Sequence, residues 1–416
     1  MLGLSACNAE SDSQQGAQGD EQVGQTGEAL TIGGVQSYTQ VGGEAGSPTN
    51  GKKVVVAGGR IHAVYAVNGA VKYTSSLDGV SWSAPANLDA TGGSAPTIAA
   101  DSTGRLGVAY VKAIGIYSYI YYTHKPSGGS WSSPLQVTSD STVREPSMVA
   151  DGTTIHLAYV APPFVRYISF AAGSPPSSAG PEYVTGNLGP VVFNDSYPAV
   201  AVSAGPGGTR RVRVALIKRW DEPSAHKIGV WFTERTGWSD FGELGLWTDT
   251  NQSYSGTGQA YSLSMDANPT SGDFYIAASF DATGSPRTYL YHGNTFSASP
   301  TAQYQLAASA STVSMAAARL DCVNKMRVQW SPATNYNATQ YRTATWASGA
   351  APTWIEAAPV PLATYGFAST SLLAPLLLAG TTNRRLFHSF HDTWNGGDSF
   401  TLQVGYDTGP NPAPCD

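Results

Sequence analysis

Three arginines, Arg144, Arg219 and Arg287, fall in successive stretches of this chain, each among residues able to hold or read a ligand. A guanidinium fork binds a carboxylate or phosphate through paired hydrogen bonds, so several forks converging on one point would clamp an anion. Near them, in segments that read as loops, stand Glu145, Tyr197, Trp220, Asp221, Trp247, Asp281, Tyr336 and Trp394. Flat aromatic faces stack on the C–H faces of sugar rings, and carboxylates and amides read hydroxyls, so the mixture suits a saccharide. Trp, Tyr and Arg also dominate protein interfaces. The expected ligand-binding set is therefore Arg144, Glu145, Tyr197, Arg219, Trp220, Asp221, Trp247, Asp281, Tyr336 and Trp394.

Other chemistries are less well supplied. His62 and His156 occupy equivalent alternating positions in RIHAVY and TIHLAY and read as packing. His388, His391 and Asp392 form H-x-x-H-D, a spacing that puts the two imidazoles on opposite faces of a strand. Asp266 to Asp273 has a calcium-friendly composition but sits where a turn is needed. Neither a metal nor a cofactor is expected. A net charge of −6, from 23 Lys+Arg against 29 Asp+Glu with no basic run, excludes a nucleic-acid footprint. No apolar run reaches the ~18 residues of a membrane span. Cys322 and Cys415 lie in no C-x-x-C pair, and a bridge between them would pin the tail GPNPAPCD of an exported chain.

The elements that must position these residues announce themselves as a repeat. YTSSLDGVSWSAP at 73–85 is matched by YTHKPSGGSWSSP at 122–134, 49 residues later, and APTIAADSTGRLGVAYV at 95–111 by EPSMVADGTTIHLAYV at 145–160. Each unit reads as four short strands separated by Gly, Asp and Ser turns, with a small-residue first strand and an alternating second. Looser copies begin near residues 52, 197, 261, 312 and 370, giving seven units of about 55 residues over 31–416. The expected fold is all-β, a single β-propeller of seven four-stranded blades, with six as the alternative count. The strand around IGGVQSYTQV (32–41) is expected to complete the last, three-stranded unit from the N-terminus.

Ser76-Leu-Asp78-Gly79-Val-Ser-Trp82 resembles the Asp box of bacterial neuraminidase repeats, found in sialidases and related propellers; Gly and Trp persist at Ser127–Trp131 and Glu234–Trp238. In that resemblance Asp78 and Trp82 are folding devices. Sialidases hold a substrate carboxylate with three arginines and use a Tyr activated by a Glu; Val143-Arg144-Glu145-Pro146 is similar to their first arginine segment. The resemblance implies a hydrolase with Arg144, Arg219 and Arg287 as its clamp, marked by a buried Tyr beside a Glu near those arginines. Leu4-Ser-Ala-Cys7 resembles a bacterial lipobox, which implies lipid on Cys7, a tether over 8–30 rich in Gln, Gly, Glu and Ser, and an outer-membrane or cell-surface location. The leading expectation is a surface lipoprotein whose propeller binds a glycan or cell-surface polysaccharide. A secreted sialidase-type exo-glycosidase and a protein-interaction scaffold are the alternatives, the latter with an apolar centre.

Overall fold

β-branched and aromatic residues alternating with small or polar ones fit a pleated surface buried on both faces. The computed structural model describes residues 39–43, 51–77, 81–176, 180–184, 194–222, 225–236, 245–246, 252–254, 259–268, 272–281, 286–294, 302–307, 310–320, 323–332, 339–346, 351–354, 357–363, 367–372, 376–377, 384–392 and 401–407. Among them the structure is all-β, and one 3-10 turn, Pro206–Gly208, is the sole helical segment.

The described strands group into seven antiparallel sheets, numbered here in chain order. Sheet 1 runs Val54–Ala57, Arg60–Val67, Ala70–Ser76 and Ala86–Asp89. Sheet 2 runs Gly93–Ala100, Leu106–Ile114, Tyr117–Lys125 and Leu135–Gln136, and sheet 3 runs Arg144–Asp151, Thr154–Ala161, Phe164–Ala171 and Glu182–Tyr183. Sheet 4 is Asn194–Ala204, Arg210–Glu222, Ala225–Thr236 and Gly245–Leu246; sheet 5 is Gln259–Ala267, Phe274–Asp281, Pro286–Gly293 and Ala302–Ala307. Sheet 6 begins with Ala310–Leu320, Val323–Pro332 and Thr339–Thr345, and sheet 7 with Phe367–Leu372, Arg384–Asp392 and Thr401–Asp407. Thr39–Gly43 pairs antiparallel with Thr401–Asp407, so the first and last described strands share a sheet. The segments at 194–197 and 219–222, read from sequence as loops, are strand.

The first strand of each sheet lies against the first strand of the next, from sheet 1 through sheet 7, and Val54–Ala57 also touches Phe367–Leu372. Crowding there explains the small residues. A Cβ on Gly51 would stand 2.6 Å from the Pro146 carbonyl oxygen and 3.0 Å from the Thr97 Cβ. Beside it, the Lys52 ammonium bonds the Asp266 carboxylate at 3.0 Å, joining sheets 1 and 5 across the middle of the arrangement. The centre therefore carries charge and buried hydroxyls, Thr97, Ser147 and Ser264 among them, rather than apolar filling alone. Asp273, the other carboxylate of the calcium-friendly turn, pairs with His292 at 3.1 Å.

The sequence repeat is also a hydrogen-bond repeat. Ser83 and Ser132 receive equivalent bonds from Thr74 and Thr123, each at 2.7 Å, and the Trp131 ring meets Tyr73 edge-on at 4.9 Å. Tyr110 and Tyr159 reach back to Asp89 and Asp140 of the preceding unit, each at 2.7 Å, tying neighbouring sheets together. His62 and His156 are buried, their Nδ1 atoms 2.7 and 2.6 Å from the Tyr73 and Tyr167 hydroxyls.

These two histidines should make the fold acid-labile. Burial lowers each to about 4, from 6.5 when exposed. The unfolded chain then binds more protons between those values, so stability is complete above pH 6.5 and is lost as the pH falls towards 4. The loss is on the order of 3 kcal/mol per histidine. Urea midpoints should drop steeply over that window, and His156→Gln should flatten the drop; a variant as acid-sensitive as the native chain would exclude this origin.

Candidate functional site

Six of the seven first strands, all but Val54–Ala57, start with a register shift, and three of them carry a residue in the left-handed region. Ala95, Glu145 and Tyr197 have φ of +47°, +54° and +54°, each directly before a proline, where the strand register shifts. A bulged residue is unpaired and its side chain is re-aimed, while positive φ on a residue with a Cβ costs about 1 kcal/mol or more. Sheets 2, 3 and 4 thus use one structural position to present Ala, Glu and Tyr in turn. The x-Pro pairs at 95–96, 145–146 and 197–198 are the sequence signal.

Glu145 and Tyr197 meet across sheets 3 and 4. The Tyr197 backbone N–H donates to Glu145 Oε2 at 2.6 Å, and Arg144 Nε stands 3.5 Å from Glu145 Oε1. Arg219, near the end of the second strand of sheet 4, is close enough for its charge to act on both Glu145 and Tyr197. The Arg144 side chain is 46% exposed and that of Glu145 only 14%, so one guanidinium faces solvent over a sunken carboxylate. Burial pushes the Glu145 carboxyl above the usual carboxylate range, against the Tyr197 N–H bond and the charges of Arg144 and Arg219. Burial, and then the Glu145 charge, push the Tyr197 hydroxyl up to about 12.

Two consequences follow for chemistry. Among the described side chains the cluster holds two guanidiniums and one carboxylate, and an anion beside Arg144 and Arg219 would be drawn to both. The tyrosine hydroxyl is held protonated, as a donor, and the Glu145 contact is to its backbone. Glu145 itself is a burden on the fold. Its raised carboxyl makes ionisation unfavourable in the folded state, so stability present below the unfolded value is lost as pH rises. Glu145→Gln should therefore raise the melting temperature at pH 7 and change it little at pH 4, by calorimetry; a lower melting temperature at pH 7 would contradict the reading.

Of the expected set, the structure brings together Arg144, Glu145, Tyr197 and Arg219. Trp220, Asp221 and Asp281 lie on strands of sheets 4 and 5, with side chains outside the described residues, as are those of His388, His391 and Asp392. Arg287 is the second residue of the third strand of sheet 5, opposite Phe280, and no described interaction joins it to the cluster. Cys7, Asp78, Trp247, Cys322, Tyr336, Trp394 and Cys415 fall outside the described residues. Sequence reading named Asp266 only as part of a turn and missed its pairing with Lys52 over 214 positions.

Four-stranded antiparallel sheets whose first strands adjoin in succession define a β-propeller architecture. Among solved structures, the polysaccharide lyase Uly1 superimposes with a TM-score of 0.53 at 10% identity, covering 92% of this chain and 95% of that one. The phage phi92 endosialidase gives 0.44 at 9% identity over 91% of this chain and 70% of that one. A six-bladed fungal lectin from Aleuria aurantia gives 0.39 at 13% identity over 77% and 96%. The first shows a shared fold, and the looser two carry no weight below. No protein-family model matches the chain, and no curated protein does.

Proposed function

We propose that this chain is a carbohydrate-binding propeller whose site, built from Arg144, Glu145, Tyr197 and Arg219, takes an acidic sugar. The observation that carries the reading is the convergence of two arginines with a buried Glu and a Tyr at the strained bulges of adjacent sheets. A sugar carboxylate would sit against the guanidiniums, with the tyrosine hydroxyl as a further donor. The seven sheets would be the blades of one ring, closed where Thr39–Gly43 completes the sheet of Thr401–Asp407 and where sheet 1 touches sheet 7. The polysaccharide lyase of the same fold is by name a glycan-directed enzyme, although a fold alone does not carry activity. The Asp-box-like turn at Ser76–Trp82 would be structural, and Cys7 with the tether over 8–30 would fix the propeller to the outer membrane or cell surface.

A hydrolase of sialidase type is the second reading, favoured by the Tyr197–Glu145 pair beside Arg144 and Arg219. Against it stands the high tyrosine value, where a nucleophile needs a low one. The charged centre between sheets 1 and 5 argues against a plain scaffold. The test is a panel of uronate, sialate and neutral glycans scored for binding and for product release. Binding of acidic members without turnover supports the module, turnover abolished by Arg144→Ala establishes the enzyme, and silence on the whole panel contradicts both.

A further inference from the structure

In sheets 1, 2 and 3 the second and third strands are joined by a hairpin, and that of sheet 2 is longer than those of its two neighbours. Val64 pairs with Tyr73 in sheet 1, Ala109 with Tyr122 in sheet 2 and Ala158 with Tyr167 in sheet 3. These pairs are nine, thirteen and nine residues apart, so sheet 2 holds four extra residues. They are Ile114-Gly115-Ile116-Tyr117, at the tip. All three side chains are exposed: Ile114 by 46%, Ile116 by 86% and Tyr117 by 47%. An exposed apolar insertion that its two neighbouring units lack is a contact surface in waiting.

The tip adjoins the site already described. Val143, directly before Arg144, donates its N–H to the Ser118 carbonyl at 3.2 Å and accepts from the Ser118 hydroxyl at 2.9 Å. Residues alternate across a strand, so Ser118 faces sheet 3 while Tyr117 and Tyr119 share the other face, their rings 6.4 Å apart. A chain leaving Arg144 would cross the isoleucine crest and come down on two tyrosine rings.

We propose that the Ile114–Tyr117 tip is a second subsite for the same ligand, holding further residues of an acidic polysaccharide whose carboxylate is held at Arg144. This rests on the carbohydrate reading above and adds that the ligand is a chain rather than a single terminal sugar. The crest and tyrosines carry no charge, so they grip ring C–H faces and leave charge recognition to the arginines. The stacking contributes about tenfold in affinity.

The experiment measures affinity of the full chain for uronate and sialate oligomers of one to six residues, with anionic phosphatidylglycerol vesicles as a separate arm. The proteins are native, Ile116→Ser with Tyr117→Ser, a deletion of 114–117 that restores the shorter hairpin, and Arg144→Ala. The native chain should bind longer oligomers about tenfold more tightly than single sugars. Both tip variants should lose that gain while keeping single-sugar affinity, and Arg144→Ala should weaken every length. Tip variants that retain the gain overturn the subsite alone, and absence of binding to any oligomer overturns the subsite and the carbohydrate reading together. Vesicle binding by the native chain that the tip variants lose, with the length gain unchanged, would reassign the tip to a lipid surface.

Discussion

Replacing Arg144 and Arg219 together by alanine should weaken binding of an acidic sugar at least 100-fold without unfolding the chain. Each charge-assisted hydrogen bond to a carboxylate is worth about 1.5–3 kcal/mol, and 1.4 kcal/mol is tenfold in affinity. Neutral sugars should respond far less, because they lose only a polar contact. Arg144 is half exposed and Arg219 partly so, and neither belongs to a core cluster, so the fold should tolerate the change. Arg144→Lys should recover only part of the affinity, because an ammonium offers one point of charge where the fork offers two parallel bonds. Calorimetric titration with a uronate and its neutral parent sugar separates these outcomes. Equal losses for both ligands would mean that the arginines shape the site without reading charge.

The largest stability effect should come from a place with no role in binding. Arg213, on the second strand of sheet 4, is fully buried, and its Nε donates to Glu234 Oε2 at 3.1 Å. Arg211 donates to the other oxygen at 2.7 Å, and the Arg213 guanidinium lies 4.2 Å from the Phe274 ring centre of sheet 5. Burial lowers Arg213 to about 10, with Glu234 holding it up. Glu234→Ala would leave a buried cation without its counter-charge, at about 3–5 kcal/mol, enough to remove a large part of a typical domain's stability. Replacing all three by Arg211→Met, Arg213→Met and Glu234→Leu should restore most of it, because apolar side chains of similar volume need no neutralisation. Denaturant midpoints of the native chain and the two variants decide; a Glu234→Ala chain as stable as native would show that water reaches Arg213.

How much of this was legible beforehand differs between fold and site. The strands were readable because local patterns write them: the 49-residue repeat around Trp82 and Trp131 is enforced by Ser83 and Ser132 closing equivalent bonds. His62 and His156 were readable as packing for the same reason, each meeting a tyrosine eleven residues on. Arg144, Glu145, Tyr197 and Arg219 were nameable singly, because they sit where first strands begin and second strands end. Their meeting was not, since it depends on the angle between sheets 3 and 4 and on bulges whose positive φ no composition reveals. Arg287 shows the limit: one sheet further on, the same residue type in a matching unit is not joined to the cluster by any described interaction. Lys52 and Asp266 show it again, because their contact crosses the middle of the arrangement.

The central claim is that Arg144, Glu145, Tyr197 and Arg219 form one anion-reading site. The most direct test is a crystal structure of the full chain soaked with a uronic or sialic acid. The account predicts the sugar carboxylate within hydrogen-bond distance of both the Arg144 and Arg219 guanidiniums, with the Tyr197 hydroxyl facing the same ligand. A sugar bound elsewhere on the propeller, with Arg144 still turned to solvent, would contradict it.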